Sequence, residues 1–135
     1  MKYFLTSLLA LMIIATDVTA QEKKDEHLLD GTSMDCYYQN GSAVHVEFMD
    51  GKFKYKWIAG PAAGAEGSEN YRSRKISTRM YMVNVMVAAN KTFVTIVYNF
   101  NQNMLSTSAL IAPGTANEAT LFDAGIIEHL TLKEN

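Results

Sequence analysis

The sequence predicts an all-β fold, a single antiparallel up-and-down barrel of about eight or nine strands. Apolar and polar residues alternate with a period of two through most of the chain, as in strands with one buried face. Turn residues recur at intervals of about 8–12 residues, the spacing typical of a sandwich or barrel. No stretch shows a convincing period of 3.6 residues, so no helix is expected in the folded domain.

A hairpin centred on the Asp50-Gly51 turn is the clearest element. Glycine reaches positive φ without a Cβ penalty, which suits a tight turn between two strands. The strand after the turn alternates aromatic residues with lysines. Its aromatic face, which includes Tyr55 and Trp57, is expected to point into the barrel, and its lysines are expected to face water.

The remaining strands follow from the same alternation. They are predicted at 32–38, 71–76, 80–87, 92–100, 104–112 and 119–130, with one long flexible loop at 59–70. Gly125 is predicted to form a bulge or bend in the last strand. A meander of this size is expected to close, because closure removes the exposed edges, and such a barrel can hold one small ligand.

Residues 1–20 have the pattern of a secretory signal peptide. Lys2 precedes an apolar run from Tyr3 to Ala15, and a short polar segment of small residues leads to a predicted cleavage site before Gln21. The run is shorter than a membrane span. The sequence therefore predicts a barrel domain at 21–135 that is periplasmic or secreted and is not inserted in a membrane after cleavage.

Charge and cysteine content narrow the function classes. The net charge of −2 gives no general attraction to nucleic acid or to an anionic membrane. Cys36 is the only cysteine, so no internal disulfide is expected, and a small buried residue is favoured over a catalytic thiol. Neither His45 with Glu47 nor the C-terminal set of Asp123, Glu128 and His129 has a spacing that forces a metal site. No cofactor or metal is predicted.

Several segments in order resemble the MoaF-like family of small lipocalin-like (calycin-type) barrels. The matching segments are Phe53-Lys-Tyr-Lys-Trp-Ile-Ala-Gly60, Tyr71-Arg-Ser-Arg-Lys-Ile76, Tyr81-Met-Val-Asn-Val85, Phe93-Val-Thr-Ile-Val97, Ser108-Ala-Leu-Ile111 and Phe122-Asp-Ala-Gly-Ile-Ile127. The resemblance implies the barrel fold. No molybdenum role is carried over with the family name, because the residues suggest neither a pterin site nor a metal site.

The same fold group is similar to the phenolic acid decarboxylases. That similarity implies tyrosines, an arginine and an acid inside the barrel, for which Tyr37, Tyr38 and Arg74 would be the available partners. The acid is expected late on the strand at 80–87, where this sequence has Met86-Val87-Ala88 and no carboxylate. This departure argues against decarboxylase chemistry.

The candidate ligand-binding residues are those expected to face the barrel interior. They are Tyr55, Trp57, Arg74, Tyr81, Asn84 and Tyr98. Aromatic residues with a few polar groups are typical of small-molecule pockets. The competing interpretation is that the aromatic residues fill the core, that Asn84 bonds to the backbone, and that Arg74 belongs to a solvated cationic strand.

The leading functional hypothesis is an exported barrel that binds a small, partly apolar ligand without catalysis. One alternative is an enzyme acting on a small aromatic or carboxylic substrate, which rests on fold similarity alone. A second alternative is a protein-interaction or dimerising module. The strand at 80–87 is apolar on both faces, so its outer face is a possible homodimer contact.

Overall fold

A computed structural model describes residues 26–135, which form one closed eight-stranded barrel. The strands are β1 (Ser33–Tyr38), β2 (Ala43–Met49), β3 (Lys52–Ala59), β4 (Glu66–Ser77), β5 (Met80–Val87), β6 (Thr92–Asn99), β7 (Met104–Ile111) and β8 (Ala119–Thr131). Each pairs antiparallel with the next, and β1 pairs with β8. The predicted all-β, up-and-down barrel is confirmed. The predicted signal peptide at 1–20 lies outside the described residues.

The β2–β3 hairpin has the turn that its sequence predicts. Asp50 and Gly51 both have positive φ, 53° and 72°, as a two-residue hairpin turn requires. Phe48 pairs with Phe53 one pair away from the turn, and both side chains are buried in the barrel. The lysines of β3 point outward, as expected. Within the described part of the chain, no helix is long and apolar enough to span a membrane.

The fourth strand is longer than its sequence indicates. The glycines and alanines of 59–70 predict a loop, yet β4 begins at Glu66 and the irregular segment is correspondingly short. Gly67 lies in this strand opposite Tyr55. A Cβ atom on Gly67 would collide with the Tyr55 phenol ring, so the ring covers the space that a larger residue would fill. Here glycine indicates a close side-chain contact and not a loop.

Gly125 is not the bulge that the sequence predicts. It pairs regularly with Tyr38 on one side and Leu105 on the other. A Cβ atom there would collide with the carbonyl of Tyr37, so glycine is required for a close backbone approach. The irregularity in the β1–β8 ladder lies further along β8, around His129, whose φ is 52°.

One end of the barrel, called the closed end, is filled by side chains. Tyr98 stacks on Phe100 with ring centroids 5.5 Å apart, and Phe48 contacts Tyr98 edge-on at 6.0 Å. Leu29, which precedes β1, is fully buried beneath this cluster. The C-terminal tail covers the same end, where Tyr81 donates a 2.5 Å hydrogen bond to Glu134. The closed end therefore forms the main core of the molecule.

Candidate functional site

The other end of the barrel, called the open end, contains a cavity of about 390 Å³. Its volume lies within the range of small-molecule sites, about 300–1,000 Å³. The lining is mostly aliphatic and aromatic: Tyr38, Val44, Phe53, Tyr55, Trp57, Ala62, Val85, Val87, Asn90, Thr92, Val94, Ile96, Thr107, Ala109, Ile111 and Leu121.

The cavity results from a change in side-chain size along β5, β6 and β7. Near the closed end, one cross-strand row consists of Tyr81, Tyr98 and Leu105. Two rows nearer the open end, the equivalent positions are Val85, Val94 and Ala109. The closed barrel has a similar width at both levels, so the smaller residues leave space that the larger residues fill.

Tyr55 and Trp57 line the cavity from β3, where the sequence analysis placed them. Trp57 lies 6.3 Å from the ring of Tyr38 across the cavity wall. Both β3 side chains are only partly buried, and they pack against the core from its open side. Trp57 is the only tryptophan in the chain, so its fluorescence reports on this cavity.

Two hydroxyl groups meet at the deep end of the cavity. The Tyr38 and Thr107 oxygens are 2.8 Å apart and buried. Thr92, nearer the open end, accepts a hydrogen bond from the backbone N–H of Ala112 at 3.1 Å. The Asn90 side-chain oxygen accepts from the backbone N–H of Thr92, also at 3.1 Å. Among these polar side chains, only Tyr38 and Thr107 bond to each other, whereas Thr92 and Asn90 bond to backbone N–H groups.

Tyr81 and Tyr98 are inside the barrel but belong to the closed end. Both are buried among other aromatic residues, as the core-filling interpretation expects, and neither lines the cavity. The Tyr98 hydroxyl is fully buried and has no hydrogen-bond partner among the described residues. Burial raises its pKa well above the usual value, and the nearby Cys36 and Tyr38 raise it further. Tyr98 and its neighbour Leu105 lie one inward row from Ile96 and Thr107, which line the cavity.

Arg74 and Asn84 lie on the outside of the barrel, which corrects the expectation that they face the interior. Outward residues of β5 alternate with the buried Tyr81, Val83 and Val85. The Asn84 amide donates to the backbone carbonyl of Val94 at 2.9 Å, and its side-chain oxygen accepts from Arg72 Nε at 3.1 Å. Arg74 donates to the Ser73 carbonyl at 2.8 Å.

Tyr38 and Thr107 line the cavity but are not among the predicted ligand-binding residues. The sequence contains a signal for Thr107, because it lies on the same face of β7 as the apolar residues Leu105 and Ala109. A threonine on an otherwise apolar face indicates a buried polar contact. The partner on β1 could not be identified from the sequence, because it lies 69 positions away.

The cavity lining contains no charged side chain among residues 26–135. The parts suggested by the decarboxylase similarity are separated by the barrel wall, because Tyr38 points inward while Tyr37 and Arg74 point outward. Within the same residues, no group of three or more His, Cys, Asp or Glu side chains could hold a metal ion. Burial raises the pKa of the Cys36 thiol to about 12, so it stays protonated at neutral pH.

A separate polar cluster lies on the outer wall where β1 joins β2 and β8. Asp35 accepts from His45 Nδ1 at 2.6 Å and contacts His129 Nδ1 at 2.9 Å. His45 Nε2 lies 3.2 Å from Glu47. Burial acts to raise the Asp35 pKa, but the hydrogen bonds with His45 and His129 outweigh it, so the pKa is lowered. The bond to Asp35 raises the pKa of His45 despite partial burial.

Fold and cavity together define a small up-and-down β-barrel that is closed at one end and hollow at the other. The chain belongs to the MoaF family, since the profile of the MoaF N-terminal domain matches residues 18–110. This confirms the family resemblance.

The barrel is also similar to a crystal structure from Burkholderia vietnamiensis that is provisionally described as a beta-lactamase. That similarity has a TM-score of 0.65 at 18% identity and covers 73% of this chain and 92% of the other. At this identity it shows the fold alone. No curated protein matches the chain significantly.

Proposed function

We propose that this protein is an exported barrel that binds a small, partly apolar ligand in its open-end cavity and does not catalyse a reaction. The observation that carries the proposal is the replacement of the closed-end aromatic residues by valine and alanine at equivalent positions near the open end. A domain that needed only stability would gain from filling this space, because empty volume next to apolar side chains costs packing energy. The uncharged lining supports binding over acid–base chemistry, which requires titratable groups at the site.

A fluorescent probe tests the cavity directly. The uncharged dye N-phenylnaphthylamine absorbs where tryptophan emits, so a dye molecule in the cavity quenches Trp57 and gains emission by energy transfer. The variant Ala109→Leu adds three carbon atoms to the cavity wall, and we expect it to weaken dye binding at least tenfold. The full-length chain, expressed with its natural leader, also reports export, because its intact mass shows whether residues 1–20 are removed.

The matched control is Ala116→Leu, the same substitution in the exposed loop between β7 and β8. We expect it to bind the dye like the unaltered protein. Thermal unfolding of both variants shows whether each remains folded. Failure of the dye to bind the unaltered protein, or equal binding by the two folded variants, would contradict the proposal.

A second candidate function, self-association, is favoured by the outer surface of β5 to β8. The outward residues that pair across these four strands carry no charge, whereas the outer face of β2 and β3 carries glutamate and three lysines. Several of the large apolar ones are exposed: Met82, Met86, Phe93, Met104, Leu110, Phe122 and Ile126. We call this surface the uncharged face. Apolar patches of this extent commonly mark interaction sites.

A second copy of this chain is the occupant that the uncharged face fits. Four strands about 4.8 Å apart and about 27 Å long give a flat footprint of about 500 Å² per copy, before side-chain relief is added. Two such faces reach the size of weak dimer interfaces. A two-fold axis parallel to the strands would place Arg72 and Arg74, beside β5, over the partner's β8 edge, where Glu128 is exposed.

Two charge substitutions with nearly equal exposure test this surface. Leu110 on the uncharged face is 42% exposed, and Ile58 on the lysine-bearing face is 45% exposed. In sedimentation equilibrium we expect the unaltered protein and Ile58→Glu to form dimers at high micromolar concentration, and Leu110→Glu to be monomeric. A monomeric unaltered protein, or the same dimerisation in both variants, would exclude this surface as the contact.

A further inference from the structure

We infer that the open-end cavity selects neutral ligands that carry a hydrogen-bond acceptor at the end that enters first, such as a ketone, aldehyde or ester. This inference rests on the proposed ligand-binding function and specifies its ligand class. It is carried by an excess hydrogen-bond donor at the cavity floor, together with the uncharged lining.

Two hydroxyl groups lie at the cavity floor, and a single hydrogen bond joins them. Tyr38 and Thr107 bond to each other at 2.8 Å, and neither hydroxyl has another hydrogen-bond partner among the described residues. Each hydroxyl has one hydrogen to donate. If Tyr38 donates to Thr107, the threonine hydrogen is unused, and if Thr107 donates, the tyrosine hydrogen is unused. Either arrangement leaves an O–H donor on a residue that lines the cavity.

The unused O–H donor of the Tyr38–Thr107 pair lies at the deep end of the cavity. Thr107 pairs with Ile96, one row from the Tyr98–Leu105 row that begins the closed end. Ala109 and Ile111 continue along β7 toward the open end and are apolar. A ligand that reached the floor would pass Asn90 and Thr92 near the open end, then a mostly apolar wall, and would meet the hydroxyl pair with its leading end.

These hydroxyls remain donors across the physiological pH range. Burial raises the pKa of Tyr38, and its bond with Thr107 only partly offsets this effect. A protonated phenol donates to a carbonyl or ether oxygen, which supplies the acceptor that the pair lacks. Pairing a buried unused donor contributes about 1 kcal/mol, or roughly fivefold in affinity.

A carboxylate is a poor match for the same site. No lysine, arginine or histidine lines the cavity within the described part of the chain. Transfer of an ionised carboxylate into a mostly apolar cavity without a cationic partner is strongly unfavourable. The other polar groups of the wall, Thr92 and Asn90, accept hydrogen bonds from backbone N–H groups and carry no positive charge. Neutral acceptors are therefore favoured over acids of the same size.

Three compounds with the same carbon skeleton separate these classes. Benzylacetone carries a ketone, butylbenzene carries no polar group, and phenylbutyrate carries a carboxylate. In competition with N-phenylnaphthylamine on the full-length protein, we expect benzylacetone to bind about fivefold more tightly than butylbenzene. Phenylbutyrate should bind at least tenfold more weakly than the ketone.

The double variant Tyr38→Phe/Thr107→Val removes the hydroxyl pair while keeping side-chain volume. We expect it to reverse the preference, so that butylbenzene binds more tightly than benzylacetone, because the buried ketone oxygen then has no donor. Tyr98→Phe is the matched control, because its hydroxyl does not line the cavity, and it should keep the preference for the ketone.

Different outcomes would overturn the inferred ligand class and the proposed ligand-binding function. Equal affinity of the unaltered protein for benzylacetone and butylbenzene, or tighter binding of phenylbutyrate, would overturn the ligand class while leaving the cavity as a binding site. A ketone preference that survives in the folded double variant would overturn the role of Tyr38 and Thr107. Absence of dye binding would instead remove the proposed function itself.

Discussion

Buried tyrosines of this barrel differ in what their hydroxyl groups contact. Tyr71 donates to Asp30 at 2.8 Å, Tyr81 donates to Glu134, and Tyr38 is paired with Thr107. Tyr98 alone among them has no partner within the described residues. A buried hydroxyl without a partner loses its hydration and gains nothing in return, so these similar residues should contribute differently to stability.

Removing the Tyr98 hydroxyl should stabilise the protein. We expect Tyr98→Phe to raise the free energy of unfolding by about 1 kcal/mol, because it removes an uncompensated polar group and keeps the ring stacking. We expect Tyr81→Phe to lower it by about 1 kcal/mol, because it breaks the bond to Glu134. Urea unfolding of both variants measures the difference. A loss of stability in Tyr98→Phe would show that its hydroxyl has a partner in solution.

Asn84 was wrongly predicted to face the barrel interior, and the reason lies in the sequence of its strand. The sequence around Met80 to Val87 is apolar at nearly every position, so its alternation cannot show which set of side chains faces inward. Asn84 was selected as the polar interruption of a buried face, but it interrupts an apolar outer face. By contrast, the lysines of β3 mark its solvent side, and Tyr55 and Trp57 were therefore assigned correctly to the interior.

Individual elements could be predicted where local chemistry determines them. The Asp50-Gly51 turn requires positive φ at both positions, and the flanking alternation then fixes the register of β2 and β3. Glycines that serve tertiary contacts were misjudged. Gly67 makes room for Tyr55, and Gly125 makes room for the Tyr37 carbonyl, and neither neighbour can be read from adjacent sequence.

Strands β1 and β8, which close the barrel, are also joined by a side-chain contact between residues far apart in the sequence. Asp35 of β1 bonds to His45 of β2 and to His129 of β8, so one carboxylate joins three strands at the seam. The raised pKa of His45 stabilises the fold below its unfolded value of about 6.5, and this stabilisation is lost as pH rises through the raised pKa. The lowered pKa of Asp35 stabilises the fold above about 3.8, and this contribution is lost at lower pH.

The seam should therefore contribute most between about pH 4 and pH 6. We expect His45→Gln to lower Tm by only about 2–4 °C in that window, because partly exposed ion pairs are weak. The effect should be smaller at pH 8, because His45 has lost its proton there and no longer forms a charged pair with Asp35. Melting curves of the variant and the unaltered protein across this pH range give the measurement. Parallel curves at all pH values would show that His45 titration does not contribute to stability.

The molecule as a whole is asymmetric in two directions. Along the barrel axis, aromatic packing at the closed end gives way to a cavity at the open end. Around the circumference, an uncharged face on β5 to β8 is followed by charged outer strands. The sequence predicted the closed barrel but not the axial difference, because adjacent strands run in opposite directions and their large residues coincide only after register is known.

The division along the barrel axis has a consequence for how such a protein can diverge. Side chains that pack the closed end and side chains that line the cavity occupy separate rows of the same strands. Substitutions among Val85, Val94 and Ala109 can reshape the cavity while the aromatic rows keep their packing. Under the proposed binding function, a barrel of this kind can acquire new ligands without losing its scaffold, and a library restricted to the open-end rows is the natural starting point for changing which ligand it binds.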